Sequence, residues 1–216
     1  MTDLPTPATA RVVGVLRLVV AVAVLVVLAV SYAEQRAAGR GALVDFLGYF
    51  TNLTSLLASV VLLVTGTLLV AGRPVGAGLT VARGVAAACL VVVAVVYNFL
   101  VPGEGGATAW VSAVLHLGFP CVAALDWLLV ADRPPLPWRR LWVVLPYPLA
   151  WLGVVLVRGA ADGWVPYGFL LPERGAGSVT LHVLGLVVVL VAAGALVWAA
   201  SRVRRLPRRR AAPADA

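Results

Sequence analysis

The chain has no lysine: all 17 of its basic residues are arginine. It has only nine acidic residues, two histidines and two cysteines, and 12% of its 216 residues are charged. A soluble domain is usually about one quarter charged and about half apolar. This chain is 62% hydrophobic with a mean hydropathy of +1.01, and its polar segments are loops and a tail too short to make a soluble domain. Cys89 and Cys121 both lie inside apolar runs, where they read as packing residues rather than as a disulfide or metal pair. The sequence has no GxSxG elbow, HExxH motif, P-loop or carboxylate pair. Its two histidines lack the third protein ligand of a catalytic zinc site. No metal or cofactor is therefore expected.

What is present is a series of apolar runs, each long enough to cross a bilayer core. They define an all-α, polytopic membrane protein with a bundle of six transmembrane helices. A short N-terminus, 1–11, precedes the membrane domain at 12–200. The spans are expected at about 12–32, 46–71, 80–101, 108–131, 141–157 and 178–200, followed by a basic tail at 201–216. The fifth span is the shortest and contains Pro146 and Pro148. Arg11 and Arg17 precede a first run ending in "SYA", as in a signal peptide, but the run exceeds the usual apolar length and is expected to be a retained helix.

An even number of spans puts both termini on one side. Arg36, Arg40, Arg158 and Arg174 then share one side, and the other thirteen arginines lie with the termini. Such an excess of arginine marks the cytoplasmic face, so the termini are expected to be cytoplasmic. The net charge of +8 does not point to nucleic acid, because six arginines cluster in "SRVRRLPRRR" directly after the last apolar run. A cluster there reads as an orientation signal and a contact for anionic lipid headgroups. The arginine-only basic complement points to a GC-rich bacterial genome, and so to a bacterial cytoplasmic membrane.

Within this frame the intramembrane polar residues form a layer. Thr51 and Asn52 begin the second span, and Tyr97 and Asn98 end the third. His116 lies roughly 12 Å below Thr108 at 1.5 Å per residue, and His182 sits one turn into the sixth span. All fall in the outer half. Thr51, Thr54, Ser55 and Ser59 share one face of their helix, and Thr108, Ser112 and His116 recur every four residues. Asp126, near the inner end of the fourth span, is expected to pair with Arg133 or Arg139. The loop 158–177, with Trp164, Tyr167 and Phe169 among Gly and Pro, reads either as a cap over a site or as an interfacial anchor.

Hydroxyls and amides in a membrane commonly bond back to their own helix or join neighbouring helices. The same layer also holds the parts of a nucleophile–base pair: a hydroxyl from Thr51 or Thr54 and an imidazole from His116 or His182. A threonine hydroxyl is a weak nucleophile and needs a base to accept its proton. Asn52 or Asn98 can donate a hydrogen bond to an oxyanion. Substrates reaching that depth come sideways from the lipid, which favours acyl esters.

The segments "YFTNLTSLL", "LHLGFPCVAALDW" and "WVPYGFLLPERGAG", in that order, resemble the androgen-inducible and androgen-dependent multi-pass membrane protein family and its bacterial relatives. The resemblance covers most of the chain. It implies a threonine hydrolase that cleaves fatty acid esters of hydroxy fatty acids inside the membrane. Its nucleophile would be Thr51, after Tyr49 and Phe50, and its histidine His116, before Pro120. The family's asparagine three residues past the threonine is Thr54 here, Asn52 stands earlier, and the His-to-Pro spacing differs by one. The leading expectation is a lipid ester hydrolase with Thr51 and His116 catalytic and Asn52 or Asn98 positioning, and with Thr54 and His182 secondary. The alternatives are a non-enzymatic membrane protein (a small transporter or a scaffold) and a haem-binding redox protein ligated by His116 and His182.

Overall fold

A computed structural model describes residues 7–130 and 132–203 of the chain. Among these residues every regular element is helical. The chain forms α1 (Pro7–Ala37), α2 (Leu43–Gly48), α3 (Phe50–Val70) and α4 (Ala77–Phe99). Next comes one composite helix: α5 (Ala109–Ala113), a π-helical segment (Val114–Gly118) and α6 (Phe119–Leu129). A 3-10 segment (Trp138–Val144) leads into α7 (Pro146–Ala161), and two 3-10 turns, Gly168–Leu170 and Pro172–Arg174, precede α8 (Ala176–Ala200). Counting the composites as single spans, six helices are long and apolar enough to cross a membrane. That is the architecture of a multi-pass membrane protein. The helical form follows from composition: apolar surroundings offer no partner to backbone N–H and C=O groups, and a helix pairs them within itself.

The spans differ from expectation in two places. The segment expected at 46–71 is not continuous. Tyr49 is extended (φ −68°, ψ 126°) and separates α2 from α3. Gly48 lies too close to the Trp164 ring to leave room for a Cβ, so the chain turns where only glycine fits. The fifth span begins earlier than expected, because the residues before Pro146 and Pro148 wind as a 3-10 helix rather than as a loop. Of the six arginines in the basic tail, only Arg202 lies within the described residues.

Helix α4 lies at the centre and packs on α3, α6 and α8. Its Ala87, Ala88, Cys89, Val92 and Val93 meet Leu190, Ala193, Val197 and Trp198 of α8 in the largest buried cluster. Cys89 is buried and Cys121 is exposed on the bundle surface, both as free thiols. Helix α1 lies along α3, where Gly14 and Gly66 cross. A Cβ on either glycine would stand 2.8 Å from the other's carbonyl oxygen, so these helices touch backbone to backbone as small residues allow. The turn after α3 closes with Gly72 at φ +68°, Gly72 N–H donating to Leu69 O and Arg73 N–H to Leu68 O. This is the left-handed glycine C-cap that ends many helices. Outward faces stay apolar, as with Leu16, Val19 and Val26 on α1 and Leu181, Leu184 and Val188 on α8.

Asp126 pairs with neither Arg133 nor Arg139. Its carboxylate binds Arg17 of α1 (2.9 Å) and Arg83 of α4 (3.1 Å), and Asp132 binds the same two arginines at 2.7 Å each. The Arg17–Asp132 contact lacks hydrogen-bond alignment, so it acts as a charge contact. Arg133 instead donates to the Val130 and Ala200 carbonyls and lies over the Trp127 ring at 4.3 Å. The expectation failed because it looked only to arginines of the adjacent loop. Arg17, at 3% exposure, is inside the bundle rather than at its edge. At Asp132, burial opposes ionisation, but Arg83 and Arg17 beside it hold the carboxyl below the usual carboxylate range.

Removing one member of such a ring strands buried charge. Asp126→Ala is expected to destabilise the fold by about 3 kcal/mol, toward the low end for a broken buried pair because Asp126 keeps some solvent contact. In a chain of this size that lowers Tm by roughly 10 °C, read by thermal melting in detergent. An unchanged Tm would mean that solvent already screens the ring.

Candidate active site

The site forms at the end of the bundle opposite the charge ring, where α3 restarts after Tyr49. Thr51 falls in the first turn of α3, at 8% exposure. Its Oγ1 lies 3.3 Å from His116 Nε2. The other ring nitrogen, Nδ1, lies 3.0 Å from the Ser112 carbonyl oxygen. A carbonyl can only accept, so Nδ1 carries the proton in a neutral ring. Nε2 then presents its lone pair to the Thr51 hydroxyl, as a general base requires. The Tyr97 ring stacks on the imidazole, with centroids 3.4 Å apart and planes within 10°.

The local helix geometry follows from Pro120. A residue at that position would ordinarily donate its N–H to the carbonyl four residues earlier, which is that of His116, and proline has none. The helix widens to π geometry over Val114–Gly118, with Phe119 N–H reaching back to Val114 O. Asn98 Nδ2 lies 3.4 Å from the His116 carbonyl and also donates to Ala94 O at 2.8 Å. Single π turns inside α-helices often mark functional sites.

The remaining predicted residues have separate places. Asn52 Nδ2 donates to Phe46 O at 2.8 Å, tying α3 to the end of α2. Thr54 Oγ1 and the Tyr147 hydroxyl are 2.8 Å apart. Ser55 and Ser59 are fully buried on the Thr51 face, with no hydrogen-bond partner among the described residues. His182 places Nδ1 2.8 Å from Ser178 O and stacks on Phe169, with centroids 5.6 Å apart. The structure thus joins Thr51 to His116. It places Thr54 and His182 in contacts of their own, and it turns both asparagine amides to backbone carbonyls.

Beside the pair lies a partly open, largely apolar cavity of about 690 Å³ including its mouth. Valines of α4, Trp151 and Leu152 of α7, and Leu186 and Leu190 of α8 line it, together with Phe50, Thr51, Tyr97, Tyr167 and Phe169. His116 stands behind Thr51 and Tyr97, outside the cavity wall. The loop after α7 closes over this end of the bundle: Tyr167 packs on Tyr49 (5.8 Å), Trp151 (6.1 Å) and Phe169 (5.4 Å). Trp151 Nε1 donates to Gly48 O at 2.8 Å and fixes α7 to the α2–α3 break.

Sequence reasoning missed the Tyr97 stack, the Tyr147 partner of Thr54 and the cavity wall on α7 and α8. Only the first two left a trace, as tyrosines inside apolar runs. No protein-family model, no characterised protein and no solved structure matches the chain.

The covering role of Asn98 is open to a double-mutant test. Asn98→Leu is expected to cost about 1 kcal/mol by leaving the His116 carbonyl unpaired. Pro120→Ala should recover most of that loss, because the alanine N–H reaches the same carbonyl. Additive Tm changes in the double variant would show that the two residues act independently.

Proposed function

We infer that this protein is an intramembrane hydrolase of acyl esters in which Thr51 is the nucleophile and His116 the general base. The observation that carries the reading is the directed contact from Thr51 Oγ1 to His116 Nε2, with Nδ1 turned to the Ser112 carbonyl. The apolar cavity beside Thr51 supports a substrate with a hydrocarbon arm drawn from the lipid. Thr51 Oγ1 attacks the acyl carbonyl carbon while His116 Nε2 takes its proton. The tetrahedral adduct collapses to an acyl-threonine ester, and His116 returns the proton to the departing alcohol. Water activated by the same nitrogen then cleaves the ester, releases the acid and restores Thr51. The resemblance to threonine hydrolases of hydroxy fatty acid esters agrees with this chemistry and suggests fatty acyl esters as the substrate class.

The site belongs to the outer leaflet of a bacterial cytoplasmic membrane. Both termini are cytoplasmic, and the arginine-rich tail contacts anionic headgroups. Positive-inside bias carries this orientation, and a C-terminal fluorescent-protein fusion tests it. Fluorescence in cells is the expected result. A dark fusion alongside an active C-terminal alkaline phosphatase fusion would reverse the topology.

The chemistry is tested with purified protein in detergent and a fluorophosphonate probe that traps activated hydroxyls. Wild type should label at Thr51, Thr51→Ala should not label, and His116→Ala should label on the order of 100-fold more slowly or worse, the usual worth of a general base. Equal labelling of all three proteins would reduce the pair to helix-joining polar contacts. It would leave a non-enzymatic membrane protein as the better description.

A further inference from the structure

The geometry points to Tyr167 as a catalytic residue of the same site, its phenol O–H stabilising the oxyanion formed when Thr51 attacks. This rests on the hydrolase reading above and gives a chemical role to a loop residue that the sequence reading took only as part of a cap or an anchor.

Three observations converge. First, the two asparagines expected to serve an oxyanion are engaged elsewhere. Asn52 donates to Phe46 O and Asn98 to Ala94 O and His116 O, and neither lines the cavity. Second, Tyr167 does line it, together with Thr51. Its hydroxyl interacts with the Thr51 side chain and with the backbone of Phe50 and Thr51. Third, those two backbone N–H groups open α3, where no earlier turn supplies an acceptor. Both N–H groups act on the phenol oxygen electrostatically, and the phenol's proton is free to turn into the cavity that Tyr167 shares with Thr51. An acyl carbonyl presented to Thr51 brings its oxygen into that region.

The phenol is suited to donate. Burial pushes Tyr167 up to about 12, so it holds its proton through the neutral range. The ring is fixed by Tyr49 and Trp151, and by Phe169 stacked within 3° of parallel. A preorganised donor of this kind needs no reorganisation as charge develops. In the attack step the Thr51 Oγ1–carbon bond forms, the Thr51 proton passes to His116 Nε2, and the carbonyl π pair moves onto oxygen. That oxygen accepts the Tyr167 O–H hydrogen bond, and Tyr167 keeps its proton throughout. When the adduct collapses, the pair returns to the carbonyl and the alcohol leaves with the proton from His116.

The test compares wild type, Tyr167→Phe, Tyr32→Phe and Thr51→Ala as full-length protein in detergent, using a p-nitrophenyl acyl ester. Tyr167→Phe keeps the ring and loses only the hydroxyl. Its kcat should fall about 100-fold, the usual effect of removing one oxyanion donor, with KM little changed and Tm preserved. Tyr32→Phe, which loses a phenol packed on Phe46 away from the cavity, should turn over like wild type. A Tyr167→Phe protein with wild-type kcat, beside an inactive Thr51→Ala, overturns the role of Tyr167 and leaves the hydrolase standing. Equal losses in the Tyr167→Phe and Tyr32→Phe proteins also overturn it, since loss of any packed phenol would explain them. Wild-type turnover that persists in Thr51→Ala overturns the hydrolase assignment, and this inference with it.

Discussion

A polar group inside so apolar a bundle can find a partner only within the bundle, and the site is largely the record of how that is done. Water is not at hand to correct an unpaired carbonyl. Pro120 creates one such group by withholding its N–H from the His116 carbonyl. The helix answers with a π turn, and α4 answers by bringing Asn98 to the exposed oxygen. The break at Tyr49 creates another set, and Asn52 covers the Phe46 carbonyl while Trp151 covers that of Gly48. Three elements that carry no reacting group are thus held in register with the two that do.

The two ends of the bundle use different physics. At one end, four charges on α1, α4, α6 and the adjoining loop close a ring of ion pairs. A buried ring of this kind adds little net stability over a well-packed apolar core, yet it is intolerant of losing a member. It also specifies which helices meet, and Arg17 can satisfy its charge only if α1 lies where Gly14 crosses Gly66. At the other end Arg158 pairs with Asp45 and Asp162 where solvent still reaches them, while the site itself is built from neutral hydrogen bonds and stacked rings. A neutral imidazole with a fixed tautomer fits that environment.

The architecture was legible in the sequence, since length and hydropathy define the six apolar helices and helical phase puts the Thr51 face inward. The depth of Thr51 and His116 followed from counting residues along antiparallel spans. What could not be read was which members of the polar layer touch. Thr54 and Thr51 lie on the same face, yet one meets Tyr147 and the other His116, and that depends on helix crossings a single sequence does not encode locally. The same limit hid the partners of Asp126. Arg17 looked like a flanking charge because α1 extends well below its apolar run, a length set by packing on α3. The break at Tyr49 was hidden because Gly48 reads as an ordinary helix glycine until Trp164, over a hundred residues away, is laid against it.

That break also explains why Thr51, and not another threonine, is available for chemistry. In a helix interior a threonine hydroxyl commonly bonds the carbonyl three or four residues back. Thr65 does so to Val61 O at 2.8 Å, and Thr80 to Gly76 O at 3.2 Å. Such a hydroxyl is occupied and pointed along its own helix. Thr51 stands in the first turn of α3, so the carbonyls at those offsets belong to Leu47 and Gly48 of the preceding helix. The Gly48 oxygen is already taken by Trp151. With its local acceptors removed by the change in chain direction, the Thr51 hydroxyl turns outward to His116 Nε2. Its β-branched side chain has few rotamers in which to stray. Deeper in the helix the same residue type is already occupied, by Tyr147 at Thr54 or by its own carbonyls at Thr65, so the extended conformation of Tyr49 is as much a part of the site as the imidazole.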